Sequence, residues 1–289
     1  MYNLRYHVAS LVAVFLALAV GLLLGTLVAE RGMITEQSSA LVAELQQRFD
    51  EINATNEELR AGLERDRAFA ADASEAIVDG KLEGARVVVL VGTGRADGVS
   101  AVEQVIAEAG GSTEVASLAT VALGLDTTEP EGLAGYLHAR DIEMAEPGPE
   151  LQQQVATALV AEWYAGEGRE LTQLLVDAGL IEVPESLAGT ATVSAVVVMA
   201  GGADGADPFA LALGQAMAGA GGTAVGVEAV ASDTGVAAAC ASQGLSAVGH
   251  VATPQGRVSL VWVLSGAARG YFGPAEDADG YYPPLLIEE

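Results

Sequence analysis

The sequence predicts an α/β protein that consists of an N-terminal transmembrane helix, a long coiled-coil helix and a mostly parallel β-sheet domain flanked by helices. Three observations lead to this fold class. Residues 8–29 contain no charge, residues 33–78 form a polar segment without proline, and apolar runs alternate with helical patterns over residues 84–272. A short tail over residues 1–7 and an acidic, proline-containing tail over residues 273–289 flank these parts.

The composition limits the classes of function that the chain can have. Of its 289 residues, 51% are hydrophobic and only 5% are aromatic, so the core must consist mainly of Ala, Val and Leu. Lys and Arg number 13 against 39 Asp and Glu, and the formal charge of −26 argues against nucleic acid as a partner because it repels phosphate backbones. The single cysteine, Cys240, excludes an internal disulfide and a thiolate cluster for a metal.

The apolar segment over residues 8–29 has the length of a membrane span. As a helix it extends about 33 Å, which is enough to cross a hydrocarbon core of about 30 Å. The alternative is a cleaved signal peptide, but the apolar run of such a peptide is usually only about 7–15 residues long, so we favour an uncleaved signal-anchor in the cell membrane. The preceding tail contains Arg5 and no acidic residue, which favours a cytoplasmic N-terminus and places everything after Glu30 outside the cytoplasm.

Small residues recur at every fourth position of this segment, at Ala13, Ala17, Gly21, Gly25 and Ala29. The sequence GLLLG, from Gly21 to Gly25, is a GxxxG motif, which allows two membrane helices to approach closely. Ala and Gly are also common in transmembrane helices in general, so the pattern has a second explanation. We expect the face that contains Gly21 and Gly25 to contact a second helix.

The polar segment over residues 33–78 is predicted to continue as a helical stalk with a heptad pattern. Asn56 falls at an a position, where a buried Asn pairs best with its counterpart in a parallel two-stranded coil. The predicted dimer-interface residues of the stalk are Val42, Leu45, Phe49, Ile52, Asn56, Leu59 and Leu63. Ser38 and Asp66 occupy d positions and weaken the pattern. The alternative is therefore an amphipathic helix that lies against its own globular domain.

Two βαβ patterns predict the sheet of the globular part, because continuous apolar runs are typical of strands that are buried on both faces. The predicted elements are a strand over 86–91, a helix over 98–109 and a strand near 114–118, then a strand over 193–199, a helix over 207–219 and a strand over 223–227, and a last strand over 256–266. The two matching units suggest an internal βαβ pseudo-repeat, and the stretch between them is rich in helical patterns.

A glycine-rich loop follows the first strand of each unit, and nucleotide binding is one hypothesis for these loops. The loop GTGRADG places Gly92, Gly94 and Gly98 in a GxGxxxG spacing, which departs from the GxGxxG of dinucleotide-binding loops. Such sites have an acid on the second strand, and the candidate here, Glu114, comes too early. The second loop, GGADGADP, is acidic where a phosphate would approach. Tight turns need glycine in any case, so nucleotide binding is a minor alternative.

The sequence contains no arrangement of catalytic residues and predicts a non-enzymatic protein. It has no G-x-S-x-G, HExxH or Walker motif, and His7, His138 and His250 are isolated along the chain. Cys240 lies on the apolar face of a predicted helix, where cysteine usually serves core packing. Cys240 with His250 is the one pair of soft ligands for Cu(I). We assign no catalytic, cofactor or metal residue, with copper as the one metal considered.

Two segments carry a resemblance to a known family: LRYHVASLVAVFLALAVGLLLG at residues 4–25 and GHVATPQGRVSLVWVL at residues 249–264. They resemble the actinobacterial MctB family, whose members are described as copper transport outer-membrane proteins. The order of anchor, coil and α/β domain is also similar. The resemblance implies a membrane-anchored, dimeric envelope component with a role in copper homeostasis or export. It supplies no copper-ligand motif that maps onto this chain.

A related branch, SteB, is similar in architecture and implies a second function. The resemblance to that branch implies a coiled-coil scaffold that acts with a SteA-like membrane partner, or with a cell-wall hydrolase, to regulate cell-wall hydrolysis at division. A pore needs several helices or a closed barrel, whereas this chain offers one helix and buried strands. The chain is therefore not expected to form a channel by itself, and the two functions stay as alternatives.

Overall fold

The computed structural model describes residues 4–92, 98–119, 125, 130–166, 168–187, 192–202, 205–230 and 234–284. Gly94 and the last residues of the predicted tail, 285–289, lie outside the described residues, as do the side chains of Ala29 and Ser38. The chain divides into two compact units, Met1–Asp66 and Arg67–Glu289.

The first helix, α1, runs without interruption from Leu4 to Val78. It contains no proline, and its four glycines lower helix propensity without breaking it. The prediction that the apolar segment and the stalk are both helical is confirmed. The segment Tyr6–Val28 is long and apolar enough to cross a membrane, and no other helix in the described part of the chain meets this criterion.

The second unit is built around a seven-stranded sheet. Its strands are β1 (Arg86–Gly92), β2 (Ser112–Leu118), β3 (Ile181–Glu182), β4 (Ala195–Val198), β7 (Thr223–Val227), β8 (Ser246–Val248) and β9 (Tyr271–Phe272); β5 (Gly201–Gly202) and β6 (Gly205–Ala206) form a separate hairpin. The helices are α2 (Val99–Glu108), α3 (Leu133–His138), α4 (Pro149–Ala165), α5 (Glu170–Asp177), α6 (Pro208–Gly219), α7 (Val236–Ser242) and α8 (Pro254–Leu264).

The sheet has the order β3-β2-β1-β4-β7-β8-β9, and every pair is parallel except β2 with β3. β1 and β4 lie side by side in the middle. The chain extends the sheet in one direction through α2 and β2, and in the other through α6 and β7. The mostly parallel sheet and both βαβ units are confirmed, whereas the internal pseudo-repeat stays a prediction.

Alternate residues of the central strands are buried on opposite faces of the sheet. In β1, Val88 and Leu90 belong to one core cluster, while Val87 and Val89 belong to another. Residues of α3 to α7 cover the first face, and residues of α2, α8 and the last turn of α1 cover the second. These four side chains have no exposed surface, which explains why the middle of the strand is an unbroken apolar run.

The predicted last strand over residues 256–266 is wrong, because this segment forms helix α8. The Thr253 hydroxyl oxygen caps the helix by accepting a hydrogen bond from the Gly256 N–H at 3.1 Å, and Pro254 occupies the first turn, where a missing N–H is tolerated. From Val258 to Leu264 every residue is buried. A helix that is apolar all round has the same apolar run as a buried strand, so hydrophobic periodicity does not distinguish them.

Glu162 is a buried acid on α4 that connects three helices. Its carboxylate accepts hydrogen bonds from the N–H groups of Leu171 at 2.8 Å and Thr172 at 3.1 Å, in the first turn of α5. It also accepts hydrogen bonds from the Thr172 hydroxyl and, on α3, from the Tyr136 hydroxyl, each at 3.0 Å. Burial and the neighbouring carboxylate raise the pKa of the Tyr136 hydroxyl, which therefore stays a donor. The carboxylate also faces the positive end of the α5 dipole.

Replacement of Glu162 by alanine should lower the free energy of unfolding by about 2–4 kcal/mol, because the first N–H groups of α5 and the Tyr136 hydroxyl lose their buried acceptor. The matched control is Glu150→Ala, which removes an exposed acid from the first turn of the same helix and should cost less than about 1 kcal/mol. Denaturant unfolding of both variants measures the difference. Equal losses in the two variants would contradict the role assigned to Glu162.

Candidate functional site

The membrane-length segment of α1 has an apolar groove along one side. The groove has a volume of about 750 Å³ and is lined by Val14, Ala17, Leu18, Gly21, Leu22, Gly25 and Thr26. A Cβ atom added at Gly21 or at Gly25 would meet no other atom within 4 Å. Neither glycine is therefore needed for packing within this chain, and the bare surface leaves room for a second backbone.

The stalk presents a row of exposed apolar side chains at the predicted heptad positions. Val42, Leu45, Phe49, Ile52, Leu59 and Leu63 are between 47% and 65% exposed. Asn56 lies in the same row and is also exposed. Many other positions are polar, as at the exposed ion pair of Arg48 with Glu44 at 2.8 Å. Large apolar residues in a regular row on a polar helix favour contact with a partner helix, and this interface stays a prediction.

In the second unit, the strand order reverses between β1 and β4, and the carboxyl ends of such strands are where open parallel sheets bind ligands. The N-terminal cap of α2 at this point is Gly98, with a φ of 83° that glycine adopts without strain. A Cβ atom on Gly98 would lie 2.8 Å from Ala229 Cβ and 3.4 Å from Met199 Cε. Backbone conformation and close packing thus explain the glycine at 98 without a ligand.

Carboxylates of the chain itself occupy the starts of α6 and α7. The Asp207 Oδ1 atom accepts hydrogen bonds from the N–H groups of Phe209 and Ala210, each at 3.0 Å. The Glu228 Oε1 atom accepts a hydrogen bond from the Val236 N–H at 2.7 Å. Helix N-termini are the usual binding sites for phosphate, and here a phosphate would meet negative charge. This arrangement disfavours nucleotide binding at these two helices.

The remaining acid of the nucleotide hypothesis, Glu114, also has partners within the fold. Its carboxylate accepts hydrogen bonds from Arg86 at 3.0 Å and from the Ser186 hydroxyl. Sequence reasoning missed the capping acids Glu162 and Glu228, because neither directly precedes the helix that it caps. A capping acid can be recognised from sequence only when it directly precedes its helix, as Asp207 precedes α6.

The two soft ligands considered for Cu(I) have different surroundings. The thiol of Cys240 lies in the first core cluster, so close to β7 that a Cβ atom on Gly226 would be 2.6 Å from its Sγ. Burial raises the pKa of the Cys240 thiol to about 12, and the charge of Glu228 adds to this effect. The ring of His250 instead contacts the ring of Tyr281. Because copper binds the thiolate, this environment opposes binding at Cys240.

A groove between α3 and α4 is a feature that the sequence did not indicate. It has a volume of about 590 Å³, and its lining includes Tyr136, Arg140, Ile142, Ala158 and Ala161. The Arg140 guanidinium stacks on the Tyr136 ring at 3.6 Å and pairs with Glu170 at 3.0 Å. Arg140, the cation of the groove lining, therefore already has partners within the chain. In the described part of the chain, no group of three or more His, Cys, Asp or Glu could hold a metal ion.

Cys240 should react with N-ethylmaleimide at least about tenfold more slowly in the folded protein than in the unfolded one, because its thiol is buried and protonated. The control is an exposed thiol, Ala54→Cys in a Cys240→Ser background, which should react at similar rates in both states. Mass spectrometry of the labelled protein follows both reactions. Fast labelling of native Cys240 would contradict the burial of this thiol.

The chain matches a protein family over nearly its whole length. The family is described as copper transport outer membrane protein, MctB, and the match covers residues 1–283. Searches of the curated proteins and of the solved structures each return no match. The matched range includes the apolar segment, the stalk and the α/β unit described above. This chain therefore belongs to the MctB family of copper transport outer membrane proteins.

Proposed function

We propose that this chain is a single-pass, non-enzymatic envelope protein that serves copper homeostasis or export as a membrane-anchored dimeric component. The observation that carries the proposal is α1, one uninterrupted helix that begins with a membrane-length apolar segment and continues as a polar stalk with an apolar row. The family supplies the link to copper transport. In this proposal the N-terminus faces the cytoplasm, and the α/β unit lies outside it.

Two surfaces of α1 support a parallel dimer. The groove at Gly21 and Gly25 allows close approach of two membrane helices, and the apolar row of the stalk suits a two-stranded coil. Asn56 would meet its counterpart at the interface and favour one register. Because each chain would enter the coil directly from its membrane segment, both coils would point in the same direction.

The proposed contribution to copper transport is structural. A copper carrier needs soft ligands along a path, and a pore needs several helices or a closed barrel. The thiol of Cys240 is instead enclosed in the core, and the described sheet is covered by helices on both faces. We therefore propose that the dimer holds or spaces a partner protein of the transport machinery.

An envelope scaffold that acts with a SteA-like membrane partner, or with a cell-wall hydrolase, is the second candidate. The exposed row from Val42 to Leu63 favours it, since a dimeric spacer suits a scaffold whether or not copper is involved. A nucleotide-binding sensor is the third hypothesis. The carboxylates of Asp207 and Glu228 at the starts of α6 and α7 argue against it.

Oxidative cross-linking tests the dimer. In a Cys240→Ser background, Ile52→Cys should give a disulfide-linked dimer in membranes, because d positions face each other in a parallel coil. The matched control, Ala54→Cys, places the thiol on the opposite side of the same helical turn and should cross-link several-fold less. Absence of a dimer with Ile52→Cys, or equal yields at the two positions, would contradict the proposed interface.

Charge at the interface tests how the dimer relates to copper. Asn56→Asp should weaken pairing by about 2–4 kcal/mol because two carboxylates would face each other, and it should reduce copper tolerance in cells. Ala54→Asp adds the same charge to the outer face and should be neutral. The double variant Cys240→Ser, His250→Ala should keep copper tolerance at equal protein level.

The same variants separate the candidates. A division or envelope defect in Asn56→Asp with normal copper tolerance would favour the scaffold over the copper role. Copper sensitivity confined to the Cys240→Ser, His250→Ala variant would contradict a purely structural contribution and indicate that the chain handles copper itself.

A further inference from the structure

His250 is a buried titratable side chain to which the proposed function gives no role. The residue is 3% exposed, and neither Nδ1 nor Nε2 makes a hydrogen bond. Removing a neutral imidazole from water in this way costs free energy, and removing an imidazolium would cost far more. The site therefore strongly favours the neutral ring.

The backbone beneath the ring is held firmly by α8. The His250 carbonyl oxygen accepts hydrogen bonds from the Thr253 N–H at 2.9 Å and from the Thr253 hydroxyl at 3.0 Å. Gly256, in the first turn of α8, lies so close to this carbonyl group that an added Cβ atom would clash with it. Hydration of the ring would therefore require movement of what covers it rather than of His250 itself.

The cover is the segment 279–284, which follows β9. The ring of Tyr281 packs edge-on against the imidazole, with 4.6 Å between ring centroids and 63° between ring planes. Tyr281 and Tyr282 are themselves about half exposed, so the cover is thin.

A small set of hydrogen bonds attaches this segment to β9. The Gly273 N–H donates to the Gly280 carbonyl oxygen at 3.0 Å, and the Asp279 N–H donates to the Tyr271 carbonyl oxygen at 2.8 Å. The Asp279 carboxylate accepts a hydrogen bond from the Tyr271 N–H at 2.8 Å. Because β9 is the two-residue strand at the end of the sheet, these bonds hold the cover at the edge of the sheet.

The charged groups on the surrounding elements have other partners. The Glu228 carboxylate, after β7, accepts a hydrogen bond from the Val236 N–H, and Arg257 on α8 pairs with Glu108. In the cover, the Asp279 carboxylate binds the backbone of β9. None of these groups makes a hydrogen bond to the imidazole.

We propose that segment 279–284 is an acid-released cover over His250, which opens when the imidazole is protonated and thereby uncovers the carboxyl ends of β8 and β9. The proposal does not depend on the proposed function. If the α/β unit lies outside the cytoplasm, the cover would respond to the pH of that compartment.

The direction of the effect follows from the environment of the ring. Burial lowers the pKa of His250 below its ordinary value of 6.5, and the backbone carbonyls of Tyr281 and Phe272, which lie near the ring without meeting the geometry of a hydrogen bond, offset part of this shift. The covered state therefore binds fewer protons than the open state, whose imidazole is hydrated. The covered state is fully favoured above pH 6.5 and loses population as the pH falls toward the lowered value, by at most about tenfold per pH unit.

Hydrogen exchange of the full chain in detergent tests the cover. After correction for the intrinsic exchange rate, the protection of peptides that contain the Gly273 and Asp279 N–H groups should fall several-fold between pH 7.5 and pH 5.5. Peptides from β1 should keep their protection. His250→Phe keeps an aromatic ring that cannot be protonated, and its protection should not depend on pH in this range. His138→Gln removes an exposed histidine and should behave like the wild type.

Unchanged protection in the wild type, or the same loss in His250→Phe, would overturn the proposal. If His250→Phe does not fold, the pH at which protection begins to fall in the wild type and in His138→Gln distinguishes the two explanations. A loss that begins as the pH falls below the ordinary imidazole value of 6.5 supports titration of His250. A loss that begins only near pH 4, where carboxylates ordinarily titrate, would overturn the role of the imidazole.

Discussion

The second unit depends on the burial of β1 and β4 from both sides. Their backbone groups are paired within the sheet, but apolar side chains emerge from both faces and require a layer of helices on each. With few aromatic residues to fill space, the helices must approach closely. Gly226 on β7 shows this, since any side chain there would clash with Cys240 of α7. The small residues of the sequence are thus a requirement of its layered core.

A second constraint comes from charge, because 39 acidic residues have only 13 Lys and Arg as partners. The fold uses helix N-termini as additional counter-charges. Glu162, Asp207 and Glu228 each accept hydrogen bonds from the first N–H groups of a helix, which stabilises the carboxylate without a cation. The same arrangement places negative charge where a related fold would bind phosphate, so the acidity of the chain affects both its stability and the ligands that it can accept.

Two apolar helical segments of this chain have similar composition but different surroundings. In α8, nearly every side chain is enclosed by the sheet and neighbouring helices of the same chain. In the segment Tyr6–Val28 of α1, the apolar side chains are exposed instead. In α8, burial within the protein removes the apolar side chains from water. For the segment Tyr6–Val28, we propose that a bilayer and a second helix do the same. The functional hypotheses therefore centre on α1.

The sequence by itself determined the helices of α1, the central strands and the βαβ units, because each has a local pattern that one kind of structure satisfies. Residues 86–91 read as a buried strand since neither face shows a polar residue after Arg86, and residues 8–29 read as a membrane-length helix from length alone. Only the tertiary structure decided the form of residues 256–266, since a fully enclosed helix and a fully enclosed strand have the same apolar run. The tertiary structure also determined which groups surround Glu162, Glu228 and His250. Their partners lie on other elements of the fold, and contacts of that kind leave no spacing in the sequence from which they could be predicted.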